Sequence, residues 1–211
     1  FMKKIFITGI GTDIGKTIAS AVVVEALQAD YWKPIQSGGL AYTDSRRVRD
    51  LVSNPKSVFH PEAYTLQQPL SPHAAAAIDG ITIDLQSLQL PQTNNTLVIE
   101  GAGGLMVPLN DKHLILDLIK QSGASCILVS KNYLGSINHT LLTHAVMQAH
   151  HIPVLGILFN GLENPASESF IAQYSNAPIL GRIEQTDVLD KSFVKRHAEL
   201  LRKRMQQLKL I

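Results

Sequence analysis

One cysteine, Cys126, stands in 211 residues, so no intrachain disulfide can form, which fits a reducing, cytoplasmic setting. No run of about 18 apolar residues occurs, which excludes a membrane-spanning helix. Charge of one sign is also lacking: 19 Lys and Arg face 17 Asp and Glu, a net charge of +2. Nucleic-acid binding would need Lys and Arg clustered on one face, and this balance gives no argument for it. The opening "FMKKIFITG" has two lysines, but its apolar run is short and enters a glycine loop, so it does not read as a signal peptide. Internal repeats, low-complexity tracts and linkers are missing as well. Phe1 ahead of Met2 is read as extraneous, and residues 2–211 are expected to form a single domain.

What is present is 45% hydrophobic and 17% charged, the range of a folded globular chain. Short apolar, β-branched runs alternate with helical patterns. "KIFITG" (4–9), "YWKPI" (31–35, ended by Pro34), "TLVIEGAGG" (96–104), "SCILVS" (125–130), "VLGILFNG" (154–161) and "APILGRI" (177–183) read as strands. "GKTIASAVVVEALQA" (15–29), "TDSRRVRDLVS" (43–53), "KHLILDLIKQSG", "SINHTLLTHAVMQAHH" and the tail 189–210 read as helices. This order predicts an α/β fold, a mainly parallel sheet with helices on both faces. Residues 54–95 are expected to be an insertion. The tail's apolar stripe at 194, 198, 201, 205 and 208 is expected to pack on the sheet; lying on a membrane is the rarer fate of a basic amphipathic helix.

In "GIGTDIGKT" (9–17), Gly15-Lys16-Thr17 opens a helix directly after a strand, the context of a phosphate-binding loop. There backbone N–H groups meet phosphate oxygens, Lys16 supplies positive charge and the Thr17 hydroxyl can ligate Mg²⁺. The loop is one residue longer than the common pattern, with Ile10 where the first glycine belongs. Glu100 in "EGAGG" (100–104) ends a strand, where a carboxylate can serve Mg²⁺. Small residues after it let backbone approach phosphates. Ligands of such sheets bind beyond the strands' carboxyl ends, which gathers 9–17, 33–39, 100–104 and Asn160. Asp44 is explained by helix capping alone, and Lys33, by position alone, reads as an exposed strand-end lysine. His73 follows Ser71-Pro72 at a helix start, and the histidines lack metal-ligand spacing.

Together these stretches resemble the dethiobiotin synthetase family, of P-loop NTPase-like fold. "GIGTDIGKT" has the length of that family's G-T-D-T-x-x-G-K-T loop. "WKPIQSG", "PLSPHAAA", "VIEGAGGLMVPL" and "LGSINHTLLT" match its further motifs in order. The resemblance implies a homodimeric cyclo-ligase joining 7,8-diaminononanoate and CO₂ with Mg-ATP. Asp13, Ile14, Gly15, Lys16, Thr17 and Ile18 would wrap the ATP phosphates, with Gly101, Ala102 and Gly103 beside them. Thr17, Asp44 and Glu100 would hold Mg²⁺. Lys33 and Lys16 would be catalytic. Ser37, Thr12, Gly135 and Asn138 would contact the substrate, and Asn160 the adenine edge. Departures are Ile10 and Gly11, where the family has Thr and Asp, a missing proline in "GRIEQT", and Gly161 after Asn160. The rival of another class is a partition or membrane-cycling ATP switch, but those carry a lysine near the loop's start and this loop has none. A related ligase acting on a different acid is the nearer alternative.

Overall fold

The computed structural model describes residues 3–211; Phe1 and Met2, with the readings that rest on them, lie outside the described residues. The chain opens on β1 (Lys4–Gly9). Ile5 and Ile7 point into one core and Phe6 into another, because alternate residues of a strand face opposite sides. Strands buried on both faces are continuous apolar runs, which is why the central strands show no polar alternation. Then follow α1 (Lys16–Leu27), β2 (Asp30–Trp32), β3 (Ile35–Ser37), α2 (Asp44–Leu51), β4 (Phe59–His60), β5 (Tyr64–Leu66) and α3 (Pro72–Ile78). The rest comprises β6 (Leu97–Glu100), α4 (Ile115–Ser122), β7 (Ser125–Lys131), α5 (Ser136–Ala149), β8 (Val154–Asn160), α6 (Pro165–Ser175), β9 (Ile179–Ile183) and α7 (Lys191–Gln207).

Seven strands form one sheet in the order β4-β2-β6-β1-β7-β8-β9, and every neighbouring pair is parallel. Helices α1, α2 and α7 cover the face with Ile5, Ile7, Val98 and Val129. Helices α3 to α6 cover the face with Phe6, Ile99, Cys126 and Leu128. The α/β class with helices on both faces is therefore as expected.

Three local expectations need correction. "YWKPI" is not one strand: the chain leaves the sheet at Lys33-Pro34, and Ile35–Ser37 pairs instead with Tyr64–Leu66 in a separate two-stranded sheet. Proline cannot donate to a ladder, so a new pairing partner beyond it is the natural outcome. Residues 54–95 are not an appendage either. They supply β4, the edge of the main sheet, and Leu66, Ala75, Ala76, Ile83, Leu85 and Leu88 of the second core. The tail helix, capped by Asp190 accepting from the Phe193 amide at 2.8 Å, packs chiefly on α1 and then on β9. Val194, Ala198, Leu201 and Met205 of its stripe are buried there. Among the described residues no helix is long and apolar enough to cross a membrane.

Candidate functional site: the phosphate loop and a buried lysine

Between β1 and α1 the loop Ile10–Gly15 closes over the carboxyl edge of the sheet. Gly15 has φ +93°, and a Cβ there would lie 2.1 Å from Asn160 Nδ2. Only glycine satisfies both conditions. Asn160, at the end of β8, donates from Nδ2 to the Ile14 carbonyl at 3.0 Å, so this strand end holds the loop in place. On the other side the backbone of "EGAGG" runs against it: a Cβ on Gly104 would lie 3.3 Å from the Gly9 carbonyl oxygen. Lys16, at the start of α1, is buried and donates to the Gly11 carbonyl at 2.6 Å. Burial pushes its ammonium down to about 8, with Lys33 adding to the fall while Glu100 and Asp44 oppose it.

Lys33 is not the exposed strand-end lysine that position alone implied. It is 5% exposed, and its Nζ lies 2.6 Å from Asp44 Oδ2 and 3.0 Å from Glu100 Oε1. Burial alone would depress its pKa, but the two carboxylates outweigh burial and raise it, so Lys33 is a fixed cation. Asp44 does not cap its helix. Thr43 does, its Oγ1 accepting from the Arg46 amide at 3.3 Å, which leaves the Asp44 carboxylate free for Lys33. Burial works to raise the Asp44 carboxyl, yet the Lys33 ammonium holds it below its ordinary value. Thr17 Oγ1 donates to Glu100 Oε1 at 2.9 Å. Asp44 and Glu100 thus flank one ammonium, with Thr17 tied to Glu100, and a cation is what this set of oxygens accepts. Two carboxylates and a hydroxyl suit Mg²⁺, which keeps several waters and shares itself with phosphates.

A family model described as an AAA domain matches residues 3–192. The ATP-dependent dethiobiotin synthetase BioD of Christiangramia forsetii is 52% identical over 203 residues, 96% of this chain and 98% of that protein. The chain belongs to the dethiobiotin synthetase family. The BioD of Cytophaga hutchinsonii is 51% identical over 93% of this chain and 96% of its own length. Among solved structures, the cell division ATPase MinD of Pyrococcus furiosus superposes with TM-score 0.60 at 12% identity, covering 99% of this chain and 100% of that one. A plasmid partition protein from Borrelia burgdorferi gives 0.59 at 11% identity over 100% and 99%. At such identity these two show the P-loop fold alone.

The other residues that the dethiobiotin synthetase resemblance singled out lie in the loop, after β6, in the small sheet and at the start of α5. Ile14 is buried in the first core with Ile18 packed against it, while Thr12 and Asp13 are exposed, Asp13 with φ +56°. Gly101, Ala102 and Gly103 follow β6 beside the loop. Ser37 ends β3 in the small sheet, and its Oγ has no partner among the described residues. Gly135, with φ +101°, and the exposed Asn138 open α5 after β7. No hydrogen bond among the described residues ties them to the lysine cluster.

Two residues of the site had gone unnoticed in the sequence. Tyr31, fully buried, donates its hydroxyl to Glu100 Oε2 at 2.8 Å. Burial, with the Glu100 charge beside it, raises that hydroxyl well above its ordinary value. Gln36 accepts from the Asp44 amide at 3.1 Å and donates to the Gly38 carbonyl at 2.9 Å, which sets the start of α2. No local signal in the sequence marks Tyr31, since β2 is three residues long and buried throughout.

Proposed function

We propose that the chain is an ATP- and Mg²⁺-dependent cyclo-ligase that carboxylates 7,8-diaminononanoate with CO₂ and closes the ureido ring of dethiobiotin. The observation that carries this reading is the fixed Lys33 cation between Asp44 and Glu100, beside a long phosphate loop, in a chain about half identical to named dethiobiotin synthetases along nearly its whole length.

One amine of the substrate adds to CO₂ and loses a proton, giving a carbamate. The carbamate oxygen attacks the γ-phosphorus of ATP and ADP leaves. The second amine attacks the carbonyl carbon of the resulting carbamic–phosphoric anhydride, phosphate departs, and loss of a proton completes the ring. Phosphoryl transfer depends on positioning and charge neutralisation rather than on a protein nucleophile. Residues Asp13 to Ile18 would wrap the phosphates with backbone N–H groups at the α1 N-terminus. Lys16 would leave the Gly11 carbonyl for the transferred group. Lys33 would hold negative charge on the carbamate and the anhydride.

Thr17, Asp44 and Glu100 would hold Mg²⁺ together with the phosphates, and the metal would supply further charge neutralisation there. The unpartnered Ser37 Oγ is available to the carbamylated substrate. Thr12, Gly135 and Asn138 would meet the diamine's carboxylate end, in part across a homodimer. Asn160 has its Nδ2 committed to Ile14, so Oδ1 is what remains for the adenine amino group.

The deciding measurement is ADP release with and without diaminononanoate plus bicarbonate. Turnover that requires the diamine is expected. Equal turnover without it would leave a generic ATPase, and turnover with another amino acid only would point to a related ligase.

A further inference from the structure

We infer that Tyr31 is a positioning residue that aims the Glu100 carboxylate at the cation site by holding its Oε2. The inference rests on the Mg²⁺-nucleotide part of the proposed function.

Strand register builds the arrangement. Tyr31 pairs with Val98 across the β2–β6 ladder, and both belong to the core under α1, α2 and α7. Glu100 lies two residues beyond Val98 and shares its face. A tyrosine side chain is long enough to climb from the level of residue 98 to the Glu100 carboxylate, and it does so with a 2.8 Å hydrogen bond. The ring is fixed from the side by Phe59, at 6.0 Å between centroids.

A carboxylate at the end of a strand is free to rotate about its last torsion unless both oxygens are engaged. Here the two oxygens face different partners. Oε1 takes Thr17 and Lys33, at 2.9 and 3.0 Å, the groups that border the phosphate loop. Oε2 takes only the Tyr31 hydroxyl among the described residues. That hydroxyl is wholly inside the protein, so it cannot be a contact to nucleotide or substrate. Its effect is to close off one oxygen and present the other. Without it, Oε2 would be a buried acceptor with no donor, and the group would turn to find one, taking Oε1 off the cation site.

Tyr31→Phe keeps the ring and removes the hydroxyl. The test measures ADP binding by calorimetry, without diamine, in EDTA and across a Mg²⁺ titration, together with the Mg²⁺ concentration for half-maximal turnover. Expected are an unchanged affinity for ADP in EDTA, a roughly tenfold weaker Mg²⁺ dependence in binding, and kcat within about twofold at saturating Mg²⁺. Phe59→Leu loosens the same ring without touching the hydroxyl, and its Mg²⁺ dependence should match wild type. An unaltered Mg²⁺ dependence in Tyr31→Phe would overturn the inference. So would an equal loss of ADP affinity in EDTA, or the same shift in Phe59→Leu, since either would mark a packing role. Because no diamine is present in the binding assay, the inference can fail while the cyclo-ligase reading stands, and the reverse.

Discussion

Lys33→Met is the perturbation that separates the structural and chemical parts of the site. Methionine fills much of the volume of the lysine stem but removes the ammonium 2.6 Å from Asp44 and 3.0 Å from Glu100. Glu100 is 1% exposed, and water cannot replace the lost partner. Breaking a buried ion pair from one side costs about 3–5 kcal/mol, because a charge is left unpaired. Tyr31 and Thr17 still donate to Glu100, which argues for the lower figure, about 3 kcal/mol. For a chain of this size about 2–4 °C of melting temperature corresponds to each kcal/mol, so the variant should melt roughly 6–12 °C lower in EDTA. Magnesium and ADP should restore more of that loss in the variant than they add to wild type, since a cation returns to the vacated oxygens. Diamine-dependent turnover should fall about 10²–10³-fold, the usual effect of removing one group that stabilises developing charge. Thermal melts by circular dichroism in EDTA and in Mg-ADP, with a coupled ADP assay, read all three quantities. A melting temperature in EDTA equal to that of wild type would refute the counter-ion argument, and wild-type turnover would refute the catalytic one.

Lys16 titrates at about 8 in the free protein, while bound phosphates favour its charged form. Nucleotide binding above that pH should take up most of one proton, measurable by calorimetry at pH 8.5 or so in buffers of different ionisation enthalpy; no uptake would contradict the assignment. His197 is buried, with neither ring nitrogen hydrogen-bonded among the described residues, and burial lowers its pKa from the ordinary 6.5, Glu184 opposing and Arg196 assisting. A base whose folded pKa is depressed gives stability that is complete above the unfolded value and is lost as pH falls through the folded one. Wild type should therefore melt lower below pH 6.5, and His197→Leu should reduce that fall; an identical pH profile would sink the reasoning.

Much of the site was legible because its signals are local. A strand that runs into Gly15-Lys16-Thr17 and then a helix places a phosphate loop without tertiary information, and β6 ending at Glu100 places a carboxylate one strand away, Ile7 pairing with Glu100. The burial of Lys33 was not legible. It depends on the first residue of α2 reaching the chain just beyond β2 and on Thr43, rather than Asp44, taking the cap. Both residues are good N-caps, and local propensity does not choose between them; the pull of Lys33 on Asp44 does. Tyr31 was hidden for a related reason. Its role needs the register of β2 against β6, two strands separated by more than sixty residues of sequence, and pairing across such a distance leaves no local periodicity. The segment 54–95 reads as an insertion because of its several prolines and glutamines, and its edge strand β4 has only two residues. So short a strand shows no alternation to read.

The loop's extra length raises the question of what Ile10 and Gly11 do where the family has Thr and Asp. Ile10 continues the β1–β7 ladder, its amide donating to the Val129 carbonyl at 3.2 Å, and its side chain packs against both cores. That is a structural position, filled here by an apolar side chain. Gly11 is different: a Cβ there would meet nothing within 4 Å, so packing does not require glycine. What Gly11 contributes is its carbonyl, the acceptor of Lys16 at 2.6 Å. A backbone carbonyl is present whatever side chain the position carries. The loop therefore acts at this point through its main chain, which brings that carbonyl to the buried ammonium. A carbonyl is a weaker partner for an ammonium than phosphate oxygens, so under the proposed function the exchange would favour nucleotide, and it would need neither a Thr nor an Asp side chain at these two positions.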